Sequence, residues 1–490
     1  MHRKFDIPAM AVLFLTAAAI EAVRLTSLSA VGDGGLWWHL SSGLWILQNH
    51  ALPHNGIYSQ AGAAPWTPVS WGYDVLLAAL YRGMDLRAIP ALLMCLRTAL
   101  AVVTFFLAGG ARGRFWSAVI LSTIAQYVLG GIPPSPAYFS IVFFAVELFL
   151  IFETRERPRA IFWLAPLFLA WANLDDEFVY GIGLLLLFLA ISAIEGVVAR
   201  RRTFSAFSGV HLSRLVAASV ATIIASLITP SFYHPYTVFF HSVAGTATTY
   251  LPDFKAMSFH QPHDYLLLLL TMGAFLALGR RRSRDAFQIA LLCVAAMLSF
   301  YAQRNVWMVA LTAVAIIGDA ALPAPRVPSQ VSGFRPRVAS RFITAGVASC
   351  GLLVIIVWGI PRSRDSLLAK VAETYPVAAS NYIREHSLPQ PLFNAYEWGG
   401  FLTWYLPQYP VAIDSRTDLY GDDFIILYSK TMNADVAFTA FPAMASARTL
   451  VFAKTSVLGE ALTNVAGFKV AYSDDVGLVL IRDEDPVAAK

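Results

Sequence analysis

Apolar runs of membrane-spanning length dominate the chain. Eleven of them approach the roughly 20 residues that an α-helix needs to cross a bilayer, at 7–26, 88–109, 115–131, 137–152, 160–173, 178–198, 212–229, 264–279, 286–301, 306–322 and 341–360. The stretch 69–81 is shorter and begins with polar residues, so we interpret it as an interfacial segment. The pattern predicts a polytopic α-helical membrane protein of about 11 spans.

Basic residues between the runs predict the orientation. With the N-terminus inside, the inner connections hold 18 Lys and Arg, whereas the outer ones hold four: Arg82, Arg87, Lys255 and Arg304. Because Lys and Arg resist translocation, this asymmetry favours a cytoplasmic N-terminus and an extracytoplasmic C-terminal segment.

The same pattern divides the chain into four parts. We predict a transmembrane domain over 1–322 with a long outer loop at 27–87, and a cytoplasmic linker over 323–340. A last transmembrane helix follows over 341–360. Residues 361–490 have ordinary polarity and strand-like segments, among them a hairpin near 468–482, which predicts a small extracytoplasmic α/β domain.

Composition excludes most other classes of protein. Of the 490 residues, 57% are apolar and only 14% are charged, with a net charge of +5. A soluble chain carries about 25% charged residues. The basic excess follows the predicted inner connections, so no nucleic acid partner is expected. The cysteines Cys95, Cys293 and Cys350 lie in apolar stretches and form no disulfide or metal-binding pattern.

The first predicted outer loop opens on candidate site residues. A glycine-rich turn carries Asp33, and the segment after it carries Trp37, Trp38 and His39. Long structured loops tend to carry function. The alternative interpretation makes Asp33 the N-cap of a helix over 36–48, because Asp is a favoured cap, and His39 an interfacial aromatic residue.

Three adjacent carboxylates, Asp175, Asp176 and Glu177, follow the run 160–173 at its predicted outer end. Such a group can bind a divalent cation or act as a base, and mutual repulsion raises the pKa of at least one member when it is partly buried. The alternative is a solvated turn in which Asp176 or Glu177 caps the next helix.

Two further outer segments carry candidate polar residues. Asp253 and Lys255 belong to a loop whose histidines lack the spacing of a helical zinc site. Arg304 stands between two apolar runs; its planar, permanently charged guanidinium suits phosphate, and interfacial snorkelling is the alternative. No cofactor is predicted, and a divalent cation stays an open option. The chain has no GxxxxGK[ST], GxSxG or HExxH motif.

Several motifs resemble bacterial multi-span proteins of the C-type glycosyltransferase (GT-C) fold, relatives of the protein mannosyltransferases and the lipid A aminoarabinose transferase. The matching segments are Asp33-(x)3-Trp37-Trp38-His39-Leu40-(x)2-Gly43, Leu52-Pro53, Tyr58-Ser59, Trp66-(x)4-Trp71, Trp171-Ala172-Asn173, Pro230, Tyr233 to Tyr236, Arg304-Asn305, Phe393 to Trp404 and Ile413 to Gly421. The chain departs from the group at Asp175-Asp176, where the group often has His-Gly, and at Asp253-Phe254, where it often has Glu-Trp.

The resemblance implies an enzyme of the bacterial inner membrane that moves a sugar from a polyprenyl-phosphate donor to a lipid, glycan or protein acceptor on the outer face. It implies inverting attack with Asp33 as general base. Residues implied in donor binding are Trp37, Trp38, His39, Asp175, Asp176, Glu177, Asp253, Lys255 and Arg304, with Arg304 and either Lys255 or a loop histidine holding the phosphate. Trp398, Asp414 and Arg416 are candidates for acceptor binding, with a structural role as the alternative.

Two other functions stay open at this point. A transporter or flippase of lipid-linked sugars would need a continuous polar path, which the sparse charges within the apolar runs do not favour. An inactive relative that serves as a binding subunit is consistent with the two departures from the group. The sequence predicts membrane lipid as a partner. It does not indicate an oligomeric state.

Overall fold

The computed structural model describes residues 34–110, 114–132, 135–199, 211–250, 254–280, 285–320 and 363–483. The predicted spans 7–26 and 341–360, the linker 323–340 and the candidate residues Asp33 and Asp253 lie outside these ranges.

Helices make up the described part of the chain up to residue 320. They are α1 (Gly34–Asn49), α2 (Trp71–Met84), α3 (Ala88–Leu107), α4 (Phe115–Val128), α5 (Pro136–Glu153), α6 (Leu164–Trp171), α7 (Phe178–Ala199), α8 (Leu212–Ser226), α9 (His234–Ala244), α10 (Pro262–Arg280), α11 (Ala286–Tyr301) and α12 (Val306–Ala320).

Four helical segments of the described ranges are long and apolar enough to cross a membrane, by length and composition. They are Trp71–Leu107, Pro136–Glu153, Phe178–Val198 and Pro262–Arg280. Shorter apolar helices coincide with other predicted runs, and the total of about 11 spans stays a prediction. The stretch 69–81, interpreted from sequence as an interfacial segment, belongs mostly to α2. That helix ends at Asp85, whose φ of 56° breaks the helical path before α3 begins.

Residues 363–483 form a unit of helices and one sheet, here called the α/β unit. Its elements are α13 (Arg364–Ala372), α14 (Val377–Glu385), β1 (Leu392–Asn394), α15 (Tyr396–Tyr405), α16 (Thr417–Tyr420), α17 (Asp422–Met432), α18 (Pro442–Ala445), β2 (Thr449–Ala453), α19 (Val457–Leu462), β3 (Phe468–Ser473) and β4 (Gly477–Arg482).

The sheet has the strand order β1-β2-β4-β3. Strand β1 pairs with β2 in parallel and the other two pairs are antiparallel, so the predicted hairpin of β3 and β4 is confirmed. Side chains of β1, β2 and β4 form one buried cluster, which includes Phe393, Leu450, Phe452 and Leu480. The opposite faces of the same strands are buried as well, so these segments are short continuous apolar runs, as is typical of strands covered on both faces.

Helix caps agree with local sequence at several starts. Asp285 accepts from the backbone N of Gln288 at 3.1 Å and begins α11. Ser363 and Ser456 cap α13 and α19 in the same way. Each cap satisfies a backbone donor that the first helical turn would leave unpaired.

Helix α1 packs against both α2 and α15, so it joins the helical part to the α/β unit. Glycines allow both contacts. A Cβ on Gly43 would lie 1.9 Å from the carbonyl oxygen of Asp74, and one on Gly400 would lie 1.9 Å from that of Gly34. Backbones therefore approach more closely here than any side chain permits.

Trp37 fills the space beside these contacts. It is fully buried, stacks on Trp404 with ring centroids 4.6 Å apart, and meets Tyr375 and Phe401 edge-on. A second attachment lies in the loop after α1, where Gln60 N donates to the Val411 carbonyl at 2.9 Å. The described part of the predicted long loop therefore contacts the α/β unit both at α1 and at Gln60.

We expect Gly43→Ala to destabilise the protein, because its methyl group would overlap the Asp74 carbonyl and separate α1 from α2. Overpacking of this kind costs about 1–3 kcal/mol. Gly183→Ala in α7 is the matched control, since a Cβ there meets nothing within 4 Å. Thermal melting in detergent measures both, and equal melting temperatures for the two variants would contradict the prediction.

Candidate active site

Two cavities lie where the helices meet the α/β unit. The helix-bundle cavity, of about 720 Å³, is lined by residues of α4, α5, α10 and α12 and by Trp38, His39, Glu177, Arg304 and Ser415. The domain-interface cavity, of about 690 Å³, lies between α9 and the segment 417–422 and is lined also by Trp66, Asp176 and Arg304. Arg304 lines both, so the two cavities meet at its side chain.

The helix-bundle cavity has a mixed lining. Apolar side chains from helices of the bundle form part of it, among them Val128 and Leu267. The guanidinium of Arg304 belongs to its polar part, together with His39 and Asp264. A cavity of this kind fits a ligand that has an apolar tail and an anionic head.

Arg304 belongs to the short turn Gln303–Asn305 between α11 and α12. One guanidinium nitrogen donates to Glu177 Oε1, and the group lies over the ring of Phe254 at 4.6 Å. Burial opposes its charge, yet the Glu177 carboxylate outweighs burial and raises the pKa of Arg304. The guanidinium is therefore permanently charged and ion-paired with Glu177, and 29% of its side chain stays exposed where it lines the two cavities.

The three adjacent carboxylates have separate surroundings. Asp175 is buried and accepts from Ser140 Oγ, which in turn accepts from Trp171 Nε1 at 2.6 Å. Burial, together with Glu177 and Asp176, raises the pKa of Asp175 well above its usual range. Glu177 pairs with Arg304, which leaves Asp176 to line the domain-interface cavity.

Asp176 is the carboxylate of this group best suited to proton transfer. Burial and the charge of Glu177 raise its pKa to about 6, although Arg304 acts in the opposite direction. A carboxylate that titrates near the working pH accepts a proton more effectively than one with an ordinary pKa.

His39 also lines the helix-bundle cavity. Its Nδ1 is 2.6 Å from Asp74 Oδ1, and its ring stacks on Trp38 with centroids 3.6 Å apart. Sequence reasoning did not single out Asp74. The available signal was a carboxylate within the otherwise apolar stretch 73–81.

The segment 414–418 of the α/β unit reaches the cavities. Asp414 and Arg416 are both buried and form a two-pronged ion pair, with Nη2 to Oδ2 at 2.6 Å and Nε to Oδ1 at 3.0 Å. Arg416 lies over the ring of Trp66 at 4.9 Å, and Trp66 Nε1 donates to Asp418 at 2.9 Å. Trp38 Nε1 donates to Ser415 Oγ at 3.0 Å. The ion pair fixes the backbone that presents Ser415 and Asp418.

The remaining predicted residues lie away from the cavities. Trp37 is in the packed contact with the α/β unit, and Trp398 is buried with its Nε1 donating to the Thr374 carbonyl at 3.1 Å. The Lys255 side chain is exposed, and its carbonyl accepts from Gln303 N at 3.0 Å. The structure thus brings together Trp38, His39, Asp176, Glu177 and Arg304 from the predicted set.

Within the described ranges no group of three or more His, Cys, Asp or Glu side chains has the geometry to hold a metal ion. Histidines of the predicted loop 230–263 do reach the domain-interface cavity, where His234 and His241 line one wall. Asp418 and Asp422 line the opposite wall from the α/β unit, and sequence reasoning did not identify them.

Comparison with known proteins gives the fold. No family model and no curated protein matches the chain. Among solved structures, it is similar to the archaeal oligosaccharyltransferase AglB from Archaeoglobus fulgidus in complex with an inhibitory peptide and a dolichol-phosphate, with TM-score 0.52, 11% identity, and coverage of 97% of this chain and 74% of that chain. It is also similar to ArnT from Cupriavidus metallidurans bound to undecaprenyl phosphate, with TM-score 0.49, 13% identity, and coverage of 96% and 97%.

At these identities the likeness concerns the fold. The similarity to AglB identifies a GT-C fold and confirms the fold family predicted from the sequence motifs. The described helices and the apolar segments among them agree with that architecture.

The raised pKa of Asp176 makes its charged form unfavourable for the fold at neutral pH. A carboxyl with this shift stabilises the folded state below its ordinary pKa of 3.8 and loses that contribution as the pH rises through about 6. We therefore expect Asp176→Asn to raise the melting temperature at pH 7.5 by on the order of 2 °C, and to change it little at pH 4.

Melting curves in detergent at the two pH values measure this difference. Asp435→Asn, which neutralises an exposed carboxylate, is the control and should shift neither curve. A shift of Asp176→Asn that is the same at pH 4 and pH 7.5 would contradict the assignment.

Proposed function

We propose that the protein is a membrane glycosyltransferase that moves a sugar from a polyprenyl-phosphate donor to an acceptor on the outer face of the bacterial inner membrane. The observation that carries the proposal is the helix-bundle cavity, whose lining combines apolar side chains with the guanidinium of Arg304. A polyprenyl chain suits the apolar part of this lining, and a phosphate suits a planar cation with several donors.

The GT-C fold supports this reading, because AglB shares the fold and was solved with a dolichol-phosphate. In the proposed complex the donor phosphate lies beside Arg304 and its sugar points toward the domain-interface cavity. The acceptor occupies that second cavity. Donor and acceptor then meet at the boundary formed by Asp176, Glu177 and Arg304.

The α/β unit supplies one wall of the acceptor cavity. Asp418 and Asp422 line it, and the Asp414–Arg416 ion pair fixes the segment that carries them. In this proposal Asp414 and Arg416 act on the acceptor through the backbone they hold, and carboxylates of the segment accept hydrogen bonds from acceptor hydroxyl groups.

The reaction needs one general base. The acceptor hydroxyl attacks C1 of the sugar with inversion, and lipid phosphate leaves without needing a proton. Asp33, which directly precedes α1 in sequence, is the base implied by the family resemblance. Asp176 is the carboxylate that the described geometry adds, because it lines the proposed acceptor cavity.

The proposed topology follows the distribution of basic residues. In this topology of about 11 spans, the N-terminus lies in the cytoplasm. The α/β unit, which is the described part of the proposed domain 361–490, lies outside. Both cavities are then at the outer face. The proposed domain 1–322 carries the first outer loop, 27–87, whose helices α1 and α2 contribute His39 and Asp74.

Removal of both charges of the Arg304–Glu177 pair tests the phosphate site. Substituting both residues by Gln avoids leaving one buried charge unpaired, so the fold should persist. We expect release of lipid phosphate from a polyprenyl-phosphate sugar to fall at least about 100-fold, as when a group that stabilises developing charge is removed.

The matched control replaces both Glu153 and Arg157 by Gln. These two side chains form an ion pair near the predicted inner face, with Arg157 Nε 3.4 Å from Glu153 Oε1. Its rate should stay within about twofold of the wild type. Full activity of the Arg304 and Glu177 double variant would contradict the proposal. Movement of labelled donor across vesicles without cleavage of the sugar–phosphate bond would identify a transporter instead.

Asp33→Asn tests the proposed base. Loss of a general base costs about 10²–10⁴-fold in rate, so we expect release of lipid phosphate to fall by that factor while donor binding stays unchanged. Asp176→Asn, assayed in parallel, tests the second carboxylate. Unchanged release by Asp33→Asn together with a loss in Asp176→Asn would move the base to Asp176.

A further inference from the structure

Helices α1 and α2 carry a buried histidine–carboxylate pair. The proposed proton transfer to Asp33 or Asp176 does not involve this pair. His39 Nδ1 lies 2.6 Å from Asp74 Oδ1. Asp74 is fully buried, and His39 is 7% exposed. A buried carboxylate is stable only when it is paired or protonated, so the short contact with His39 has consequences for both residues. The Ser42 hydroxyl also acts on Asp74.

Asp74 determines which nitrogen of His39 faces the helix-bundle cavity. The carboxylate accepts the Nδ1 proton, as second partners of functional histidines commonly do. Within the described ranges Nε2 makes no protein hydrogen bond, and His39 lines the cavity. Nε2 is therefore presented to the same space as the guanidinium of Arg304.

Three contacts hold the His39 ring in place. Its Nδ1 lies 2.6 Å from Asp74 Oδ1. The ring stacks on Trp38 with centroids 3.6 Å apart, and Tyr73 meets it edge-on with centroids 5.1 Å apart. The orientation of Nε2 is therefore fixed by ring packing as well as by the carboxylate.

The other charged groups around His39 and Asp74 already have ion-pair partners. Arg416 acts on Asp74 from the α/β unit but is already paired with Asp414. Across the cavity, Glu177 is paired with Arg304, and Asp264 lies 3.2 Å from His263. Arg304 and His39 Nε2 are thus two of the donors that the described lining of the cavity offers to an anion, beside Ser135, His263 and Gln303.

We propose that His39, held by Asp74, is a second phosphate-binding group, whose Nε2–H donates to the phosphate of the polyprenyl donor. This inference rests on the proposed function. In the transfer step the acceptor oxygen bonds to C1, the C1–O bond to phosphate breaks, and its electron pair stays on the phosphate. The hydroxyl proton passes to the base carboxylate.

Phosphate thus changes from a monoanion to a dianion as the sugar leaves. A charge-assisted donor binds the dianion more tightly than the monoanion, so His39 stabilises the transition state more than the bound donor. His39 is then a catalytic residue, and Asp74 is a positioning residue that fixes the ring.

His39→Asn is the sharpest test. An Asn amide reaches the position of Nδ1 and keeps a donor to Asp74, which protects the fold, but it leaves nothing at the position of Nε2. We expect binding of a polyprenyl phosphate to the purified full chain at pH 6.5 to weaken about tenfold, the effect of one charge-assisted hydrogen bond. Binding of the uncharged polyprenol should not change.

His386→Asn is the matched control, because its Nδ1 contacts the Tyr382 carbonyl at 3.0 Å outside both cavities. It should bind the polyprenyl phosphate like the wild type. Melting temperatures of all variants show whether the fold persists. His39→Asn that binds the phosphate as tightly as the wild type from pH 5.5 to 8.5 would overturn the proposal.

Asp74→Asn separates charge from position. It keeps the volume and an acceptor for Nδ1–H but removes the negative charge behind the ring. We expect Asp74→Asn to weaken binding of the polyprenyl phosphate and to leave binding of the uncharged polyprenol unchanged. A purely structural role would weaken binding of both lipids equally.

Sugar transfer measured on the same preparations distinguishes two failures. Binding that depends on His39 without sugar release from any polyprenyl-phosphate donor would reject the proposed function and leave the phosphate site standing. Sugar release with no effect of His39→Asn on either rate or binding would reject the phosphate site alone.

Discussion

Helix α1 lies so close to two other elements that backbone touches backbone, and the arrangement of both cavities depends on that contact. Gly43 admits the carbonyl of Asp74, and Gly400 admits that of Gly34. One consequence is that Asp74 comes within hydrogen-bond distance of His39. The other is that the α/β unit is fixed against α1, which lets Ser415 bond with Trp38 and line the helix-bundle cavity.

The electrostatics where the two cavities meet follow from the free-energy cost of burying charged groups away from water. Three adjacent carboxylates cannot all be ionised at low cost when they are buried, so one pairs with Arg304 and the pKa values of the other two rise. The result is one fixed cation for an anionic ligand and a carboxylate, Asp176, that titrates near pH 6. Sites that transfer protons commonly combine a fixed charge with a carboxylate whose pKa is shifted in this way.

Part of this could be predicted from the sequence because it depends on local pattern. Apolar runs, caps and the hairpin of β3 and β4 are set by residues near one another in the chain, and motifs carried enough signal for the GT-C fold. Among site residues, Trp38, His39, Asp176, Glu177 and Arg304 stood out because polar or aromatic groups beside long apolar runs are conspicuous. Trp37 and Trp398 stood out for the same reason, yet packing places both in buried contacts.

Sequence alone thus determined the membrane character, and it predicted an orientation from Lys and Arg and a short set of polar candidate residues. Tertiary structure decided which of them meet. His39 and Asp74 are 35 positions apart, Glu177 and Arg304 are 127 apart, and Trp66 and Asp418 are 352 apart. No local pattern encodes such pairs, because hydrogen-bond distance between them exists only after the helices pack and the α/β unit closes the cavity wall.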